Sequence, residues 1–159
     1  MTKYTSYVKN EAAKKLEHYC AYQERCHKEV VNKLWELDIR PPEIDQIVVH
    51  LINENYLNEE RFAKTYAHGK FSIKKWGRKR IVSELKQRNI SKYNIESALK
   101  EIDESAYLKT FHVLAENKWE SLTEKNLQRK KRKLADYLFY RGWESELVYA
   151  KIHSLAKTN

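Results

Sequence analysis

The sequence predicts an all-α protein made of three tandem three-helix repeats, and three observations carry that expectation. The 159 residues include only 3 Gly and 2 Pro, whereas a sandwich or barrel needs turn signals about every 8–12 residues. Apolar residues recur at helical spacing through almost the whole chain. One apolar template then occurs three times, as Val30, Leu34, Ile39; as Ile81, Leu85, Ile90; and as Leu134, Leu138, Trp143. The copies begin 51 and then 53 residues apart, and self-similarity at a near-fixed spacing is the mark of a repeat architecture.

Each unit opens with a leading helix. Leu16, Tyr19 and Cys20 mark the first, Phe62, Ala63 and Tyr66 the second, and Tyr107, Phe111 and Leu114 the third. Asn58, followed by Glu59 and Glu60, supplies a clear N-terminus for the second. The template itself is the middle helix. Its last member is preceded by Asp38, Asn89 or Gly142, the residue types that best tolerate the left-handed conformation closing a helix. Ser121 and Glu124 have the spacing of a capping box for the long basic helix that follows.

Twelve residues beyond each template come Leu51, Ile102 and Leu155, in a third helix. Pro42 suits the first position of one such helix and Ser91 the N-cap of the next. Glu144 and Glu146 suit the positive end of the last. The repeats occupy roughly 20–55, 58–102 and 104–155. This divides the chain into 1–57 (an N-terminal segment and the first repeat), 58–103 and 104–159. Units this small bury little area alone, so stacking supplies much of their stability and an elongated, curved molecule is expected.

Composition narrows the function. Apolar residues make up 42% of the chain and aromatics 12%, enough for a core and against wholesale disorder. The N-terminus lacks the apolar stretch of a signal peptide, and no run approaches the ~18–20 apolar residues that span a bilayer. Cys20 and Cys26 fall in a predicted helical region, and their separation along a helix, about 9 Å, is awkward for a disulfide. Reduced thiols in a cytoplasmic protein are therefore expected.

The net charge is +9, which points to a polyanion or an acidic protein surface as partner. The charge is uneven. Lys70 to Lys92 holds nine cationic residues against Glu84 alone, Lys125 to Lys133 holds six and no acid, and Pro41 to Glu60 sums to −5. Arg78, Lys79 and Arg80 precede Ile81 as Lys131, Arg132 and Lys133 precede Leu134. Cations at a helix N-terminus oppose the macrodipole, so local stability does not account for them, whereas phosphate contact does. A solvated, self-repelling surface is the plainer alternative. Trp76 next to Gly77 fits a core position at a helix junction, or a base-stacking residue.

No nucleophile–base arrangement, phosphate loop or H-E-x-x-H motif is present, and no cofactor is expected. Glu59 with Glu60 and Asp103 with Glu104 read as helix caps. His18, Cys20, Cys26 and His27 lack structural zinc spacing. A non-enzymatic binding protein is the expectation.

The middle unit carries a resemblance. Glu60-Arg61-Phe62-Ala63-Lys64-Thr65-Tyr66, Trp76-Gly77-Arg78-Lys79-Arg80-Ile81 and Glu84-Leu85-Lys86-Gln87-Arg88-Asn89-Ile90 together resemble the signature of the RecX family. Tyr137-Leu138 followed by Arg141-Gly142-Trp143 is similar to its third-unit motif, and the likeness runs over roughly 25–152. Asn89 stands where the family usually has Gly, Arg25-Cys26 replaces Arg-Ser, and Arg78 stands where Pro often follows the Gly.

The resemblance implies three tandem three-helix units and no catalysis. It further implies binding to RecA filaments on single-stranded DNA, restraining ATP hydrolysis, strand exchange and repressor cleavage; a monomer is expected. Its expected contacts with RecA or DNA are Lys74, Lys75, Arg78, Lys79 and Arg80, then Arg129, Lys130, Lys131, Arg132 and Lys133. A helix-turn-helix reader of DNA, with Gln87 or Asn94 on a base, is the alternative. A helical-repeat adaptor that ignores DNA is another.

Overall fold

A computed structural model describes residues 3–158, with side chains from Tyr7 onward. Among the described residues, the elements are α-helices in three triplets. The first triplet is α1 (Lys3–Tyr22), α2 (His27–Glu36) and α3 (Glu43–Asn53). The second is α4 (Glu59–Ser72), α5 (Arg78–Gln87) and α6 (Lys92–Lys100). The third is α7 (Glu104–Ser121), α8 (Leu127–Tyr140) and α9 (Ser145–Lys157). Within a triplet each helix packs on the other two, and the main helix–helix packing stays inside the triplets. The accessible surface is 10195 Å², against about 8,400 Å² for a compact monomer of this mass. That excess is what an elongated repeat protein shows.

The predicted equivalence of the three middle helices is present in detail. Asp38, Asn89 and Gly142 all have positive φ, at 61°, 59° and 88°. After each, the next amide closes a wide turn back over the helix. Ile39 donates to the Leu34 carbonyl, Ile90 to Leu85 and Trp143 to Leu138. The same side chains, Ile39, Ile90 and Trp143, are buried against the core. One closing motif thus ends the helix and plants an apolar anchor, as the Schellman geometry requires. Asn89→Gly should leave stability unchanged or raise it slightly, whereas Asn89→Val should cost about 1–2 kcal/mol from left-handed strain. Urea unfolding of the two variants checks this.

Helix starts agree in part with the sequence reading. Asn58 and Ser91 cap α4 and α6 by accepting from the Arg61 and Asn94 amides. Pro42 is the N-cap of α3 rather than its first residue. The first triplet also begins well before residue 20, because α1 spans Lys3–Tyr22.

Three expectations need larger corrections. Cys26 is not inside a helix; it is the N-cap of α2, so α1 ends between the two cysteines. Both thiols are buried and free, and burial pushes each up to about 11. Ser121 is the last residue of α7 and caps nothing downstream; Asn126 caps α8 instead, accepting from the Arg129 amide. Glu124 receives the Asn126 amide and pairs with Lys133 at 3.1 Å. Because α8 starts at Leu127, Lys131 to Lys133 lie in its second turn rather than at its N-terminus.

The core is divided unequally. Leu16, Val30, Leu34, Ile47 and Leu51 belong to a cluster confined to the first triplet and Leu57. The second and third triplets share one larger cluster, which Cys26 also enters. Polar contacts join the first and second triplets alongside Cys26. Arg61 donates to Glu24 at 2.6 Å and to the side chain and carbonyl of Asn55, both at 3.0 Å. Lys28 reaches the Gln87 carbonyl at 2.9 Å.

Candidate functional site

The conspicuous Trp76-Gly77-Arg78 and Arg141-Gly142-Trp143 segments meet face to face, joining the second and third triplets. The Gly77 amide donates to the Arg141 carbonyl at 2.8 Å and the Lys79 amide to the Gly142 carbonyl at 3.0 Å. The Arg78 amide donates to the Tyr107 hydroxyl at 2.9 Å. The N-terminus of α5 therefore docks on the C-terminus of α8, and each end satisfies the other's orphan groups. The approach leaves no room for a side chain at either glycine. A Cβ on Gly77 would stand 2.4 Å from the Gly142 oxygen, and one on Gly142 would stand 2.3 Å from the Arg80 nitrogen.

Aromatic rings fill the joint behind this contact. Phe71 and Tyr107 have centroids 5.7 Å apart, Tyr107 and Trp143 4.6 Å, and Phe111 and Trp143 5.2 Å. The Trp143 indole donates to the Lys75 carbonyl at 3.2 Å. Tyr107 donates to the Glu144 carboxylate. Burial first, and that bond second, raise the phenol's pKa above its ordinary value. Tyr107→Phe would strand both the Arg78 amide and a Glu144 oxygen, so it should cost about 1–3 kcal/mol, read by thermal unfolding.

This joint changes the meaning of the first basic cluster. The expectation that α5 offers unpaired amides to phosphate is corrected, since those of Gly77, Arg78 and Lys79 are taken by α8 and Tyr107. Arg78 is itself engaged inside the chain. It pairs with Glu104 and, at 3.2 Å, with Glu144, and lies 3.8 Å from the Tyr107 ring centroid. Burial disfavours its charge, but Glu104, Tyr107 and Glu144 outweigh that and its pKa is raised. The Arg80 guanidinium donates to the Tyr140 carbonyl at 3.1 Å, against the negative end of α8. Contacts across the joint thus account for Arg78 and Arg80 at the start of α5, and leave Lys79 facing solvent.

The other candidates divide by exposure. Lys75 adopts a left-handed conformation, φ 59°, in the turn after α4, and its ammonium donates to the Ser72 carbonyl at 2.6 Å. Lys74, Lys79, Arg129 and Arg132 are exposed and make no ion pair among the described residues. Lys131 is half-buried. Lys130 lies 4.2 Å from the Trp119 ring centroid, and Lys133 is tied to Glu124. Lys79 also borders an open groove along α5 with Arg78, Val82, Ser83, Lys86 and Gln87.

Sequence reasoning missed a set of cation–aromatic stacks. Arg80 lies over Trp76 and Tyr140, at 4.1 and 4.6 Å. Arg141 and Lys118 lie over Tyr137, at 3.8 and 4.7 Å. The spacing of Tyr137 and Arg141, one helical turn, was the available signal.

Three tandem three-helix units, two of them welded through paired Gly-containing turns and carrying exposed cations, define a helical-repeat protein. Family models for the second and third three-helix domains of RecX match residues 58–99 and 106–152. Together they cover more than half of the chain. The regulatory protein RecX of Streptococcus uberis is 30% identical over 150 residues, which is 91% of this chain and 54% of that protein. The regulatory protein RecX of Yersinia enterocolitica is 33% identical over 111 residues, 70% of this chain and 65% of that protein. The crystal structure of RecX from Lactobacillus salivarius superposes with a TM-score of 0.80 at 24% identity, covering 94% of this chain and 97% of that one.

The chain belongs to the RecX family of regulatory proteins. It spans about half the length of several of the curated relatives it matches. Among the described residues, no helix is long and apolar enough to cross a membrane.

Proposed function

We propose that this chain restrains the RecA recombinase by binding RecA filaments on single-stranded DNA, lowering ATP hydrolysis, strand exchange and co-protease activity. Membership of a regulatory family through both its second and third domains is the observation that carries the reading. Physical features support it. An elongated repeat body can touch more than one subunit of a helical filament, and its exposed cations complement phosphate or acidic protein surface. The proposed contacts are Lys74, Lys79 and the exposed cations of α8, with Arg78 and Arg80 shaping the joint that presents them. The chain works without a cofactor, as a cytoplasmic monomer. The deciding experiment is RecA ATP hydrolysis on single-stranded DNA, with and without this chain.

Direct DNA binding should be weak and governed by salt. With about four phosphates contacted, log K should fall against log salt with a slope of about −3 on single strands. Replacing Arg129, Lys130, Lys131, Arg132 and Lys133 by Gln should flatten that slope. A titration giving the same slope for both proteins would reduce the α8 cluster to solvated surface.

A further inference from the structure

Tyr140 is a large aromatic residue held in water, 71% exposed, at the C-terminal end of α8. Its orientation is constrained. The Arg80 guanidinium lies 4.6 Å from its ring centroid and is itself anchored on the Tyr140 carbonyl at 3.1 Å. The same guanidinium lies 4.1 Å from the Trp76 ring. The cation thus backs one side of the Tyr140 ring, and the exposure leaves the other side open. Tyr93 is equally exposed, at 73%, yet no cation lies over it among the described residues.

The rest of the helix supplies the complement. Arg129, Lys133, Asp136 and Tyr140 are spaced four, three and four residues apart, so they share one face of α8; all four are exposed, as is Arg132 beside them. From Arg129 to Tyr140 the helix rises about 16 Å. Asp136 is the acid in this row and Lys133 is partly neutralised by Glu124, so the net positive charge of this face comes from Arg129 together with Arg132 beside it. A cationic track with a pre-oriented aromatic face beside it is what binds unpaired nucleic acid, because cations follow the phosphates and every base has a face to stack.

We infer that Tyr140, backed by Arg80 and Trp76, is a stacking platform for an unpaired base of a single-stranded nucleic acid whose phosphates run along α8. The inference rests on the polyanion-binding reading above and adds the base to it. The platform fixes polarity along α8, with phosphate contact toward Arg129 and base contact at the joint.

The test compares a labelled oligothymidylate with an abasic deoxyribose-phosphate strand of equal length, by fluorescence anisotropy at low salt. The two strands carry equal charge and differ only in bases. The 159-residue chain should prefer the base-bearing strand by about tenfold, the worth of one good stack. Tyr140→Leu should abolish that preference without changing affinity for the abasic strand. Tyr140→Phe and Tyr93→Leu should keep it, and circular dichroism should show all three folded. Equal affinity of the wild type for the two strands, or a preference that survives in a folded Tyr140→Leu, would overturn the platform and leave the phosphate reading standing. Failure of both strands to bind would overturn the platform and the phosphate reading together.

Discussion

Gly77→Ala should destabilise the chain by about 3 kcal/mol, the upper range for forcing atoms into a filled interior. The added methyl would meet the carbonyl of Gly142 at 2.4 Å and the Cα of Trp143 at 2.7 Å. Those are backbone atoms that cannot swing aside. Relief requires parting α5 from α8, which breaks the Gly77–Arg141 and Lys79–Gly142 hydrogen bonds and loosens Trp143 from Tyr107 and Phe111. Gly142→Ala should be as damaging, since left-handed strain of about 1–2 kcal/mol adds to a contact 2.3 Å from the Arg80 nitrogen. Gly69 is the internal control. It lies in α4 with nothing within 4 Å of an added Cβ, so Gly69→Ala should stabilise by about 0.5–1 kcal/mol. Thermal and urea unfolding give all three values. A Gly77→Ala protein as stable as the wild type would mean that the two triplets do not meet in this way.

The sequence revealed periodic and local features better than tertiary contacts. Leu34, Leu85 and Leu138 end in the same closing turn because one geometric demand recurs, and recurrence can be read without coordinates. The leading helices follow from apolar spacing, and the caps at Asn58 and Ser91 from residue chemistry alone. The Ser121–Glu124 capping box failed because Asn126, two residues beyond Glu124, offered a competing cap to a helix that starts later. The left-handed residue at Lys75 had no local signal; its carbonyl instead receives the Trp143 indole, 68 residues away.

The same difficulty distorted the candidate site. Counting charge placed Arg78 with Lys79 and Arg80, yet Arg78 is bound by Glu104 and Glu144 from the third triplet. A cation's partner across a fold does not appear in its local sequence. What remains legible is the class of surface, a basic one, rather than which cation faces outward.

The sharpest functional expectation concerns RecA itself: this chain should lower DNA-dependent ATP hydrolysis at concentrations below that of RecA. One elongated molecule can engage several subunits of a filament, so inhibition need not be stoichiometric. The residues to reverse are the candidate contacts that are exposed and that make neither an ion pair nor a side-chain hydrogen bond among the described residues, namely Lys74, Lys79, Arg129 and Arg132. Changing all four to Glu would set like charges against an acidic or phosphate-rich surface, at a cost of several kcal/mol. At least a tenfold rise in the concentration needed for half inhibition is expected. Arg129 lies in the first turn of α8, where Glu favours the helix dipole, so the fold should survive its reversal. Arg78→Glu is a poor test by comparison, because it would place a third carboxylate beside Glu104 and Glu144 and open the joint. The fourfold variant must match the wild type in circular dichroism and melting temperature before its activity is read. Full inhibition by that folded variant would remove these cations from the mechanism. An unchanged ATPase rate with the wild-type chain, measured with the RecA of the organism that encodes it, would sink the proposed function.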